Sequence, residues 1–90
     1  MKKNLLINIL LILFLLNSNV FSKESSYFIE GKKLFEDKEF DKSKIFFERD
    51  LVFNPKSEKS YLYLAKIFKK KDNVEEEEIN LKNVLLLNPK

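Results

Sequence analysis

Chemistry in this chain has to come from carboxylates, amines and phenols. Its 90 residues hold 14 Asp and Glu, 17 Lys and Arg and three Tyr, with no His and no Cys. Without imidazole there is neither the commonest general base nor a nitrogen ligand for a metal. Without a thiol there is no disulfide, thiolate metal site or Cys nucleophile. A single Gly excludes a Gly-rich phosphate loop. Two charge runs remain. Glu75–Glu78 lacks the alternating oxygen ligands and the glycine of a calcium loop. It reads as the acidic first turn of a helix, where the dipole favours negative charge. Lys69-Lys70-Lys71 reads as the basic last turn of the helix before it. No catalytic residue, metal or cofactor is expected, and the chain is not expected to be an enzyme.

The formal charge of +3 depends on two lysines near the start. Met1–Asn4 carries Lys2 and Lys3, and Leu5–Leu16 is apolar apart from Asn8. Asn17–Ser22 then turns polar, with small residues. This is the three-part layout of a secretory signal peptide, with cleavage expected after Ser22. Twelve helical residues reach only about 18 Å, whereas a bilayer core is about 30 Å thick. A membrane anchor is therefore the alternative only if this segment stays uncleaved. With Lys2 and Lys3 removed, 15 basic residues face 14 acidic ones, a net charge of +1. Such a balance gives no general attraction to phosphate backbones, so nucleic acid is not an expected partner. The expected location is outside the cytoplasm, secreted or in the periplasm or cell envelope of a bacterium.

The elements behind these residues are set by a spacing. Tyr27, Gly31, Leu34, Phe40, Phe47, Phe53 and Pro55 recur at one fixed offset as Tyr61, Ala65, Phe68, Val74, Leu81, Leu87 and Pro89. That offset is the period of a helix–turn–helix repeat that stacks into a solenoid. Tyr27, Phe28, Leu34 and Phe35 recur at helical spacing around Gly31, where a missing side chain lets a second helix come close, with Ser43 facing it. The second helix is expected over Phe40–Phe53, with a stripe of Phe40, Phe47, Leu51 and Phe53, and Pro55 ends it. A third runs from about Glu58 to Lys70, with Tyr61, Leu64, Ala65 and Phe68 on one face, and a fourth starts at Val74. The aromatic positions Tyr27, Phe40, Phe47, Tyr61 and Phe68 read as core.

Residues 24–57 and 58–90 resemble the tetratricopeptide repeat (TPR) family. The first copy offers Tyr27, Gly31, Leu34, Phe40, Ser43, Phe47 and Pro55; the second offers Tyr61, Leu64-Ala65, Phe68, Val74, Leu81, Val84 and Pro89. The resemblance implies an all-α domain over residues 23–90, with two repeats and four antiparallel helices in a short α-solenoid. It departs from the family at Glu30, where Leu is preferred, and at Asp50 and Glu77, where small residues are usual. An unpaired buried carboxylate is costly, so these acids are expected to turn outward or pair with Lys, with looser packing around them.

The resemblance also implies a function: protein–protein interaction, as an adaptor or scaffold. The family's concave groove carries over to Phe28, Lys32 and Phe35 in the first repeat and to Lys59, Leu62, Lys66, Lys69 and Lys70 in the second. An apolar end and a basic end suit a protein or peptide partner carrying acidic residues, a chain-terminal carboxylate among them. Leu81, Val84, Leu85 and Leu87 would pack under a following helix, and two repeats are few for a stable array. They are expected to form an exposed apolar edge, which usually marks an interface. The alternatives are a self-assembling subunit that dimerises through this edge, or a fragment of a longer TPR protein.

Overall fold

The computed structural model describes residues 24–89. The expected signal peptide over 1–22 lies outside the described residues. Four helices follow one another: α1 (Ser26–Glu36), α2 (Phe40–Phe53), α3 (Glu58–Lys70) and α4 (Val74–Leu87). Among the described residues there is no strand, so the all-α class holds. None of these helices is long and apolar enough to cross a membrane.

The sequence period is visible in the backbone. Both ends of α2 return in α4 at the same offset. So do the turns. Lys38 and Asp72 take the left-handed conformation, with φ of 63° and 56°. At each turn the next amide reaches back into the helix it leaves, Glu39 to the carbonyl of Leu34 and Asn73 to that of Phe68. Each turn is short, which folds the chain back on itself. Asn73 caps α4 through its side chain, accepting the Glu76 amide at 3.2 Å. The ammonium of Lys71, at the end of α3, pairs with Asp41 in the first turn of α2. α3 packs against α1, α2 and α4, whereas α4 touches α3 alone among the described helices.

The core is small and aromatic. Phe28, Phe47, Leu64 and Ile67 are buried, with Phe35, Phe40, Leu51, Tyr63 and Phe68 packed around them. Phe47 is completely enclosed. Its ring lies against Gly31, as the missing side chain there implies: a Cβ at this position would stand 2.8 Å from Phe47 Cε1. Ser43 completes the close approach by donating its hydroxyl to the Gly31 carbonyl at 2.7 Å. Gly31→Ala improves helix propensity by about 1 kcal/mol. It also pushes a methyl into a ring that cannot retreat, and overpacking costs about 1–3 kcal/mol. Thermal melts should therefore show a net loss of about 1 kcal/mol; a stabilised variant would mean that the Phe47 ring has room to move.

Four expectations change. Tyr27 and Tyr61, read as core, are half-buried and stand outside the cluster to which Phe40, Phe47 and Phe68 belong. Phe53, assigned to the core stripe of α2, is two-thirds exposed and stacks on Tyr27 at 5.7 Å. Phe28, assigned to a binding groove, is 3% exposed and belongs to the core. Asp50 does not turn outward and does not pair with Lys. It is 2% exposed, and neutral donors surround it. Ser25 Oγ and Ser60 Oγ each donate to it at 2.5 Å, and Asn54 Nδ2 at 2.9 Å. A buried carboxylate is tolerable when its lone pairs are filled in this way. Packing around it is tight, because Ser60 is itself fully buried.

A basic row over an aromatic floor

The candidate site is built on Tyr63. Its position in α3 puts it on the side that meets both α1 and α2. The ring stacks on Phe47 with centroids 4.9 Å apart and meets Phe35 and Phe28 edge-on at 5.2 and 5.7 Å. Phe35 in turn meets Phe40 at 5.3 Å. Phe28, Tyr63, Phe35 and Phe40 therefore form one continuous row across α1, α3 and the start of α2. Each such pair adds about 0.5–1.5 kcal/mol beyond the area it buries.

Three lysines roof this row. Lys32 Nζ lies 5.8 Å from the Phe28 centroid, Lys66 Nζ 5.0 Å from Tyr63 and Lys70 Nζ 5.4 Å from Phe40. A cation over a ring gains about 0.5–1 kcal/mol at an exposed site. That is enough to bias where each flexible stem points without neutralising its charge. The ammonium groups remain available to an anion from solvent. The surface is thus apolar and aromatic beneath, positive above, and spread over three helices.

The remaining groove residues divide. Phe35 lies in the row, half-buried. Phe28 lies in it too, at its buried end. Lys59 is drawn into an ion pair with Glu24 at 3.5 Å. Leu62 and Lys69 stand two helical turns apart and so share one side of α3. That side is opposite Ser60 and Ile67, which face inward. Of the edge residues, Leu81, Leu85 and Leu87 are exposed and Val84 is half-buried. Tyr63, the centre of the row, is the residue that sequence reasoning missed. Its signal was its place between Ser60 and Ile67, one turn from each, on the inner stripe of α3.

A shallow cavity of about 550 Å³ opens where α1 and α3 begin, with Ser25, Phe28, Asp50, Phe53, Ser57 and Lys59 in its wall. Its one buried charge, Asp50, is already occupied by its own neighbours. Burial pushes the Asp50 carboxyl up, but hydrogen bonds from Ser25, Ser60, Asn54 and Ser57 together outweigh that and hold it below the usual carboxylate value. Asp50 is therefore an anion with a structural task. Among the described residues no three His, Cys, Asp or Glu side chains converge to hold a metal ion. Comparison with protein-family models, curated proteins and solved structures finds no match to this chain.

Proposed function

We propose that the protein is an exported interaction module of the TPR type, an adaptor or scaffold of a bacterial cell envelope. It holds an acidic segment of a protein partner on the face shared by α1 and α3. The observation that carries this reading is the row of Lys32, Lys66 and Lys70 above Phe28, Tyr63 and Phe40. Carboxylates of the partner would meet the ammonium groups while its apolar residues lie on Phe35 and Tyr63. Helix pairs that repeat at one fixed period support the repeat class, and the leader pattern supports export. No residue is assigned a catalytic role.

The test is binding of a fluorescein-labelled helical peptide with Glu at every i, i+4 position, followed by anisotropy on the full chain. Lys32→Glu, Lys66→Glu and Lys70→Glu together should weaken it at least about tenfold. Three exposed ion pairs contribute roughly 0.2–1 kcal/mol each, and repulsion replaces them. Affinity should also fall as salt is raised. A triple variant that binds as before would remove the row as the recognition surface.

A further inference from the structure

We infer that the outer face of α3 and α4 is a second docking site, and that it takes an amphipathic helix of a partner protein carrying an acidic residue. The inference rests on the reading of this protein as a binding module, and it adds both the place and the form of the bound segment. The molecule contains an occupied version of the same face. α3 lies across α1 and α2, where Phe28, Phe35 and Phe47 hold the ring of Tyr63 and Asp50 receives Ser60. One repeat later these four floor positions are Leu62, Lys69, Leu81 and Val84. There, no helix lies across them among the described residues. Phe47 is fully covered, while Leu81 is 39% and its neighbour Leu85 58% exposed.

The differences between the two faces define the occupant. Val84 replaces Asp50, so the incoming helix needs an apolar residue where α3 has Ser60. Lys69 replaces Phe35, so it needs an acid beside the residue that fills the place of Tyr63. Its apolar positions follow the spacing of Ser60, Tyr63, Leu64 and Ile67, all on one helical side. A second copy of this chain, added head to tail, does not meet that description. Its α1 would present Ser26 where the face needs an apolar residue, and Lys33 where α3 presents Ile67. A lysine at that inward position, on a floor that already carries Lys69, is buried without a partner.

A labelled peptide of residues 57–71 carrying Ser60→Leu and Lys66→Glu tests this against the full chain by anisotropy and circular dichroism. It should bind saturably, become helical on binding, and bind about tenfold tighter than the unaltered 57–71 peptide, a difference of about 1.4 kcal/mol. Leu81→Glu should abolish binding, and Leu85→Glu should do the same if the first variant loses its fold. Lys32→Glu, which touches only the basic row, should leave it intact. Equal binding of the two peptides, or binding that survives Leu85→Glu, overturns the proposal. Loss on Lys32→Glu but not on Leu81→Glu leaves the basic row standing and removes this second site. Sedimentation that shows a dimer broken by Leu85→Glu would assign the face to a second copy and overturn the proposal too.

Discussion

Replacing Phe47 by alanine is expected to abolish the cooperative thermal transition of the protein. The ring is fully buried and belongs to the core that joins the two helix pairs. It lies on Gly31, stacks on Tyr63 and meets Phe28 at 5.6 Å. Removing a buried Phe side chain costs about 3–5 kcal/mol, since neighbours close only part of the cavity. A domain of this size has only about 3–10 kcal/mol in total. Little collapse is available here, because Gly31 offers no side chain and Tyr63 is held by three rings. The ellipticity of Phe47→Ala in the helical band should fall gradually with temperature, and its near-ultraviolet signal from Tyr63 should be weak. A sharp melt close to that of the parent would show that the core does not depend on this ring.

Asp50→Ala should have the next largest effect. A hydrogen bond to a charged group contributes about 1.5–3 kcal/mol. The variant loses those from Ser25 and Ser60 and leaves the buried Ser60 hydroxyl without an acceptor. A loss of about 2–4 kcal/mol is expected from chemical denaturation. The pH dependence carries a second signature. Asp50 has a lower pKa in the folded chain than its ordinary value of 3.8. Its contribution is therefore complete above about pH 4 and fades as pH falls from there through the folded value. Wild-type stability should drop over this acid range, and Asp50→Ala should be flatter across it. Parallel acid profiles for the two proteins would show that Asp50 titrates as it does in the unfolded chain.

Much of the frame was legible in the sequence because it rests on local signals. Turns that recur at a fixed interval placed α2 and α3 at their observed ends and α4 at its start. The pairing of Gly31 with Ser43 followed from the need for two backbones to approach. The site was less legible. Phe28 and Tyr63 sit among other apolar residues, so helical spacing alone does not say which side of α1 and α3 receives the other helices. Asp50 was read by its charge, which points outward by default. Its burial depends on Ser25 at the start of α1 and Ser60 in α3, and hydroxyls on other elements leave no periodic trace. Only Asn54, one turn after Asp50, was near enough to hint at a filled carboxylate. The lysines were legible as basic and not as ordered, because the placement of Lys66 and Lys70 depends on how α3 packs against α1 and α2.

The hydrogen bond that Ser60 donates to Asp50 bears on how the chain avoids misassembly. Two helix pairs with the same turn geometry can in principle exchange places, and repeat proteins misfold by such exchanges. Here the pairs are not interchangeable. Ser26 and Ser60 are equivalent by the period, but Asp50 has become Val84 in the second copy. A slipped arrangement that seats α1 on α4 would set the Ser26 hydroxyl against a valine and leave Asp50 uncovered. One carboxylate thereby gives each hairpin an address, and it specifies their order along the stack as well as holding them together.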